Sequence, residues 1–393
     1  MNDTLLAATT GEPVDRPRDE GAPQPSFLLR APLRSLQAQG CRASLPRGGT
    51  ATLAARVAAF FATPRAGLPL LVGALPFDPC AEDALHQPQG VCSDTRMSCV
   101  AATPRFAGSV VAEPDPSAYA DSVARALAEL QRATPSLHKV VLARSLRLHS
   151  EAAIAPGELA TRLGQDPSVA TYLVSLPVQD GQAPAWLVGA TPELLVSRRG
   201  RTVLSHPLAG SARRSSDPDQ DARTAQALLG SAKDHDEHRH VVEAIVAALA
   251  PWCRHIDAAP RPSLHATATM WHLGTRITAT LDDPTTPVAA LVAALHPTPA
   301  VCGTPRQQAL DTIAALEPVP RGFYAGAVGW IDADGDGDWY VAIRCAHLQD
   351  RQVRVYAGAG IVADSQPAME VAETAAKFGA LLNALGVDAA TCA

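Results

Sequence analysis

The pattern of apolar and polar positions predicts a chain in which amphipathic helices alternate with short apolar strands. Apolar residues recur at helical spacing in residues 51–62 and again in 119–132, where Val123, Leu127 and Leu130 share one face. The runs LPLLVGALPFDP, TYLVSLPV and AWLVGA have the length and composition that are typical of strands. We therefore expect regular structure to begin near Ser26 and to continue through most of the chain.

Residues 353–385 carry the densest pattern and are predicted to join a strand, a glycine turn and a charged helix. The alternating segment VRVYA leads into Gly358-Ala359-Gly360, where two glycines let backbone N–H groups approach a bound anion closely. Pro367 then marks a plausible helix start.

On that helix, three charged residues, Glu370, Glu373 and Lys377, cluster about a quarter turn from the apolar stripe. The stripe consists of Phe378, Leu381, Leu382 and Leu385. The charges are either a solvated glutamate–lysine pair or a divalent-ion site beside a carboxylate-binding lysine. The helix alone does not decide between them.

Two further ionisable residues stand at the ends of apolar strands. Lys139 precedes residues 140–143, which are apolar on both faces and predict a buried strand. Glu193 follows Thr191 and Pro192 at a turn between two apolar strands. Each could instead reach water, the lysine by extending its stem and the glutamate as an ordinary turn residue.

Further polar residues interrupt apolar segments. Glu237 extends the apolar face of a helix formed by Val241, Ile245 and Leu249, so its carboxylate needs a cation or strong hydrogen bonds. Arg344 lies in the predicted strand DWYVAIRCAHL, and a buried cation usually faces an anion. The remaining candidates are His272 in a strand-like segment, Gly210 and Ser211 in a predicted turn with free backbone donors, and Ala300 in a proline-rich loop.

Two patterns that imitate metal sites are weak. His235, His238 and His240 lack the HExxH order and have no cysteine nearby, so a polar helix flank is the better interpretation. The segment DADGDGD at residues 332–338 imitates a calcium loop, but Ile343 stands where a bidentate glutamate is required. An acidic hairpin is predicted there.

Composition excludes several classes of partner. With 393 residues, 47% of them hydrophobic, the chain can bury a large core, and its net charge of -6 argues against nucleic acid or an anionic membrane as main partner. Residues 1–25 are polar and predict a disordered tail without the features of a secretory signal, so we expect a cytoplasmic protein. The eight cysteines show no regular spacing and are expected to be reduced, and residues 80–103 are expected to form a surface loop.

Nine blocks in order resemble the chorismate-utilising enzymes. The closest likeness is to the isochorismate synthases of siderophore pathways, and it covers roughly residues 26–386. The blocks are KVVLARSL, GATPELLVSR, HPLAGSARR, KDHDEHRHVVEAI, MWHLGT, LHPTPAVCGTP, GAVGWID, VAIRCAHL and GAGIVADSQP. The resemblance implies a single α/β (α+β) catalytic domain over residues 26–393, with stacked, mostly antiparallel sheets flanked by helices as in component I of anthranilate synthase.

The resemblance also implies roles for the candidate residues. Lys139 would activate water and Glu193 would act as the acid, while relatives that add ammonia carry no lysine at that position. Mg²⁺ would be held by Glu237 and Glu373, with Glu370 in support. Chorismate would contact Gly210, His272, Arg344, Gly360 and Lys377, and Arg344 with the amides of Gly358, Ala359 and Gly360 would clamp the enolpyruvyl carboxylate.

The expected reaction is the conversion of chorismate to isochorismate by a monomer. Water adds at C2 while the C4 hydroxyl leaves, which requires a neutral lysine and a protonated glutamate. A salicylate synthase, which would also eliminate pyruvate, is the nearest alternative, although the small apolar Ala300 and Val301 resemble the synthase-only pattern. An amine-adding relative and a catalytically inactive binding protein are the remaining alternatives.

Overall fold

A computed structural model describes residues 24–63, 66–92, 104–106 and 110–388. All but the last two residues of the predicted disordered tail lie outside this part of the chain, as does most of the predicted loop beyond Cys92. No helix in the described ranges is long and apolar enough to cross a membrane.

The strands in chain order are β1 (Phe27–Arg30), β2 (Ser35–Gln39), β3 (Ala43–Ser44), β4 (Leu70–Leu75), β5 (Ala84–Gln87), β6 (Gly90–Cys92), β7 (Val111–Glu113), β8 (Lys139–His149), β9 (Ala170–Leu176), β10 (Ala185–Thr191), β11 (Leu194–Arg199), β12 (Thr202–His206), β13 (Leu208–Arg213), β14 (Cys253–Ala258), β15 (Ser263–Ala266), β16 (Met270–Gly274), β17 (Ile277–Leu281), β18 (Gly303–Thr304), β19 (Ala327–Asp332), β20 (Gly337–Val341), β21 (Cys345–Gln349) and β22 (Gln352–Ile361).

The α-helices are α1 (Leu53–Ala62), α2 (Pro116–Leu130), α3 (Pro156–Leu163), α4 (Pro218–Gly230), α5 (Ala232–Leu249), α6 (Val288–Leu295), α7 (Arg306–Leu316) and α8 (Pro367–Leu385). A short 3₁₀ turn at Thr50–Thr52 precedes α1. Helix α8 begins at the predicted proline and ends before Gly386, whose φ of 74° is the left-handed conformation that terminates many helices.

The strands form three sheets, and every strand pair in the described ranges is antiparallel. A ten-stranded sheet has the order β18-β8-β22-β21-β10-β9-β1-β2-β6, with β7 beside β8. A nine-stranded sheet has the order β14-β17-β12-β11-β20-β19-β4-β5-β3, and a small sheet has the order β13-β16-β15. The longest ladder joins β22 to β8 and sets Gly360 opposite Val141.

The alternation of side chains along the strands divides the core into two layers. On β1, Phe27 and Leu29 join the larger apolar cluster, to which both large sheets contribute, whereas Leu28 points to a second cluster with α3 and α8. On β9, Tyr172 and Leu173 alternate in the same way. Both faces of the ten-stranded sheet are therefore covered, which explains why its strands read as continuous apolar runs.

The predicted loop at residues 80–103 is wrong at residues 84–87 and 90–92, which form strands. Residues 84–87 form β5, which is buried throughout, and residues 90–92 form the edge strand β6. The polar composition misled the prediction because His86 and Gln87 are buried with hydrogen-bond partners, Ser26 Oγ and the carbonyl of Leu68. Polar residues can occupy a strand interior when they are satisfied in this way.

Three expectations about local backbone are also corrected. Gly358-Ala359-Gly360 is not a turn, because β22 continues to Ile361. Gly210 and Ser211 lie within β13, where a register shift against β16 and a φ of 82° at Gly210 mark an irregularity in a strand. Arg344 lies between β20 and β21, with a φ of 53°, so DWYVAIRCAHL is two strands in different sheets. The predicted acidic hairpin between β19 and β20 is confirmed.

Candidate active site

A cavity of about 70 Å³ lies between the small sheet, β22, α5 and α8, and most of the predicted site residues line it. None of its lining residues is exposed. Ten of the predicted site residues line it: Glu193, Gly210, Ser211, Glu237, His272, Ala300, Arg344, Gly358, Gly360 and Lys377. The other four, Lys139, Ala359, Glu370 and Glu373, do not reach its surface.

Lys139 lies behind the cavity wall rather than on it. Its side chain is fully buried, and Nζ stands 3.1 Å from Glu237 Oε1 without the alignment of a hydrogen bond. The wall at this point is Gly360, where an added Cβ would lie 2.0 Å from Glu237 Oε1 and 3.1 Å from Lys139 Cε. Glycine is therefore required so that the lysine and the glutamate can approach β22.

Glu193 faces the cavity from the turn between β10 and β11. Thr191 Oγ1 accepts a hydrogen bond from the Glu193 N–H at 3.2 Å, which holds the turn. Burial raises the pKa of its carboxyl to about 8, although the Leu208 N–H and the charges of Lys139, Lys377 and Arg344 act in the opposite direction. The carboxyl is therefore protonated at neutral pH and can donate a proton.

Glu237, Glu370 and Glu373 form a group that we call the three-glutamate cluster, and a lysine pairs with each member. Lys139 lies beside Glu237, Lys233 Nζ donates to Glu370 Oε1 at 2.7 Å, and Lys377 Nζ lies 2.5 Å from Glu373 Oε1. Burial acts to lower the pKa of Lys233, but the cluster overrides it and raises that pKa above its ordinary value. All three lysines of the chain are therefore found at this one site.

The members of the cluster affect one another. Burial, followed by the charge of Glu373, raises the pKa of Glu370. Burial also acts to raise the pKa of Glu373, but Lys377 overrides it and the net shift is downward. Ser211 Oγ donates to Glu373 Oε1 at 3.2 Å, which connects β13 to α8.

The three-glutamate cluster is the candidate site for the expected Mg²⁺. The described part of the chain contains no group of three or more His, Cys, Asp or Glu side chains already arranged to hold a metal ion. However, Glu370 Oε2 is buried without a hydrogen-bond partner among those residues. Carboxylate oxygens are the ligands that Mg²⁺ prefers, so the donor set fits this ion by its chemistry.

Arg344 and His272 line the side of the cavity that faces β16 and α8. Arg344 Nη1 donates to the carbonyl of Lys377 at 3.3 Å, and burial lowers the pKa of the guanidinium from its ordinary value. Burial, with the charges of Arg344 and Lys377, holds the pKa of His272 well below its ordinary range. The pair therefore offers one fixed cation and one neutral imidazole.

The backbone N–H groups of residues 358–360 in β22 are less available to bind a carboxylate than predicted. Residues 358–360 pair with β8 along one edge, and the carbonyl of Gly358 accepts a hydrogen bond from Lys377 Nζ at 3.0 Å. Ala359 points away from the cavity because successive strand residues alternate. Along its other edge β22 pairs with β21 only as far as Val355, so the segment that lines the cavity has no strand neighbour there.

Sequence analysis missed several residues of the site. Tyr324 and Tyr356 line the cavity as a stacked pair, with ring centroids 4.8 Å apart. No periodicity singles out Tyr324, which stands in a turn before β19. Lys233 could have been found, because it precedes Glu237 by four residues and so shares its helix face.

The helix α5 also corrects the expectation of a polar histidine flank. His238 is buried, and its ring contacts the carbonyl of Ala209 at 3.2 Å and Thr275 Oγ1 at 2.8 Å. Burial lowers the pKa of this imidazole to about 4. His238 therefore holds β13, with Gly210 and Ser211, against α5.

Comparisons with known proteins agree with this architecture. The sequence model of the chorismate binding enzyme family matches residues 83–386. The isochorismate synthase DhbC of Bacillus subtilis (strain 168) is 44% identical over 401 residues, which is 99% of each chain. The crystal structure of DhbC from Bacillus anthracis shares 39% identity at a TM-score of 0.87, over 94% of this chain and 98% of that one.

A more distant structure shows the fold alone. Component I of anthranilate synthase from Streptococcus pneumoniae TIGR4 is 19% identical, with a TM-score of 0.67 over 94% of this chain and 95% of that one. The predicted fold, a single domain of stacked antiparallel sheets with flanking helices, is thereby confirmed. The chain belongs to the family of chorismate-binding enzymes.

Proposed function

We propose that this protein is an isochorismate synthase, which converts chorismate to isochorismate. The observation that carries the proposal is a buried carboxyl on the cavity, Glu193, whose pKa is raised to about 8 by burial, together with a buried amine, Lys139, directly behind the cavity wall. The 44% identity to the DhbC isochorismate synthase supports the same reaction.

The reaction moves a hydroxyl group by allylic displacement. Lys139 accepts a proton from a water molecule while the oxygen of that water bonds to C2 of the ring, and the ring double bond shifts. Glu193 donates a proton to the C4 hydroxyl, which leaves as water, so atoms and charge balance. A base and an acid must therefore act on different parts of one ring, as general acid–base catalysis requires.

The side chain of Lys139 must move toward the cavity before its amine can act as the base. In the structure it lies behind Gly360 and beside Glu237, so its amine reaches substrate only by a change of rotamer. Arginine could not replace it, because a guanidinium does not lose its proton in proteins.

Chorismate carries two carboxylates, and the cavity offers separate cations for them. Arg344 and Lys377 both line it, and Tyr324 offers a hydroxyl on the same side as Gly358. We assign the enolpyruvyl carboxylate to Arg344 because that guanidinium is fixed by its hydrogen bond to the Lys377 carbonyl.

The three-glutamate cluster, above all Glu237 and Glu373, would hold Mg²⁺. When bound, the ion supplies a divalent positive charge that binds the ring carboxylate of the substrate. The lysines that pair with these carboxylates in the structure would have to exchange partners. Lys377 retains the carbonyl of Gly358 as an acceptor in that case.

Salicylate synthase is the second candidate, and the Ala300 loop argues against it. Ala300 and Val301 are the residues of this loop that line the cavity, and neither carries a hydroxyl that would assist pyruvate elimination. That the protein is a cytoplasmic monomer, and that it serves siderophore synthesis, stay predictions.

Incubation of the purified protein with chorismate and Mg²⁺ tests the function. We expect isochorismate as the product, identified by chromatography and mass spectrometry, with no stoichiometric pyruvate. Equal release of salicylate and pyruvate would instead establish the salicylate synthase. Turnover that requires ammonia, or ligand binding without turnover, would reject both.

Substitution of the acid, Glu193, should reduce kcat by a factor on the order of 10² or more, and so should substitution of the base, Lys139. Glu193→Gln keeps the shape of the side chain but lacks the proton to donate, and Lys139→Ala lacks the amine. Lys139→Arg keeps a positive charge beside Glu237 and should be as impaired as the alanine variant. Near wild-type kcat in any of these folded variants, checked by circular dichroism, would exclude that residue from its role.

Glu237→Gln should weaken Mg²⁺ binding by about tenfold or more, because it replaces a charged ligand by a neutral amide. The measurement is isothermal titration of the protein with Mg²⁺, independent of turnover. Glu243→Gln on the same helix is the matched control, since Glu243 is exposed and pairs with Arg239 at 2.9 Å. Equal Mg²⁺ affinity of the two variants would contradict the assignment of Glu237.

A further inference from the structure

The residues that line the substrate cavity are buried or half-buried, and none of them is exposed. The volume of this cavity, about 70 Å³, is also well below the ~300–1,000 Å³ of ordinary ligand pockets. Two larger cavities adjoin it, and Pro192 lines all three. Each of these two is a candidate route from solvent to the substrate cavity.

The first neighbour, which we call the outer cavity, lies between the end of α3, the C-terminal half of α8 and the turn between β15 and β16. Its volume is about 450 Å³. It shares His272 and Arg344 with the substrate cavity, and Gln165, Ala268 and Asn383 at its margin are exposed. The outer cavity therefore extends from an exposed margin to residues that it shares with the substrate cavity.

The second neighbour, which we call the flank cavity, is of similar volume, about 490 Å³, and lies beside β12 and β15. Apart from Pro192 it shares only Leu208 with the substrate cavity. A doubly charged ligand on this path would have to pass between two apolar side chains. Moving an ion through such a gap is costly because nothing replaces its hydration.

The charges of the outer cavity suit an anion. The one acidic residue in its lining, Asp166, is already engaged: its carboxylate accepts hydrogen bonds from Ser168 Oγ at 2.5 Å and from the Ala268 N–H at 2.7 Å. The cations are Arg344 at the inner end and Arg162, which donates to the carbonyl of Ala384 at 3.1 Å. Leu163, Val169 and Met270 supply apolar surface for a ring.

We propose that the outer cavity is the route by which the cyclic dicarboxylate substrate enters and leaves, with Arg344 as the residue that passes its carboxylate from this cavity into the substrate cavity. This inference rests on the proposed function. The bond between Asp166 and Ala268 joins the two loops that border the route, and α8 forms its smooth wall with Ala380 and Ala384.

The test narrows one route at a time. Ala380→Phe fills the outer cavity and Ala266→Phe, on β15, fills the flank cavity. Both are made in a Glu193→Gln background so that turnover is slow, and chorismate association and dissociation are followed by stopped-flow tryptophan fluorescence. Trp271 adjoins His272, and neither substitution adds an indole.

A narrowed route slows passage in both directions and leaves the bound state unchanged. We therefore expect Ala380→Phe to lower the association and dissociation rate constants by about tenfold each, with Kd within about threefold. Ala266→Phe should leave both rates within about twofold. Ala384→Phe is a second variant of the outer cavity, for use if Ala380→Phe does not fold.

Unchanged rates in the outer-cavity variants, or slowing only with Ala266→Phe, would overturn the route. A larger Kd that arises only from faster dissociation would also count against the route, because that result indicates that the substitution has disrupted the substrate cavity. Failure of the proposed function is distinguishable, since the wild-type protein would then form no isochorismate from chorismate.

Discussion

Three buried or half-buried lysine–glutamate pairs around one cavity are the interaction on which the rest of the structure depends. A buried charge without a partner is strongly destabilising, so each member of the three-glutamate cluster fixes the position of a lysine and is fixed by it. Only three of the 33 basic Lys and Arg residues are lysines, and all three are here. Arg344 also lines this cavity, but the three-glutamate cluster is paired with lysines, whose compact amine can also lose a proton.

These pairs explain the unusual state of Glu193. The cluster engages every lysine, and Glu193 forms no ion pair with any cation in the described ranges, so burial is the largest influence on its carboxyl. Four glutamates around one cavity are thus divided into three that bind cations and one that holds a proton. Different environments give chemically identical side chains different roles.

The fold supplies this arrangement through close backbone approach. The ladder between β8 and β22 brings Lys139 behind Gly360, and a side chain larger than hydrogen there would displace Glu237. Helix α5 carries Lys233 and Glu237 one turn apart, while α8 carries Glu370, Glu373 and Lys377. Two helices and one strand ladder therefore set the positions of all the charges of the cluster and its lysines.

Sequence patterns predicted the helices and strands better than they predicted the contacts between them. Helix α8 and the burial of Glu237 follow from local periodicity, because an apolar stripe determines them, whereas the sequence left open whether Lys139 is buried or reaches water. Residues 358–360 were predicted as a turn because glycine is common in turns. Glycine also allows another group to approach the backbone closely, and the position of Glu237 against Gly360 shows that this second reason applies here. Tyr324 and the break at Arg344 depend on contacts between sheets, which no local pattern encodes.

The central claim is that burial keeps Glu193 protonated near neutral pH so that it can donate a proton. Infrared difference spectroscopy across a pH series, wild type against Glu193→Gln, measures this carboxyl directly. We expect a protonated carbonyl band that is present below pH 8 and disappears with a midpoint of about 8 as the pH rises. A midpoint near the ordinary value of 4.5, with the band absent at neutral pH, would contradict it.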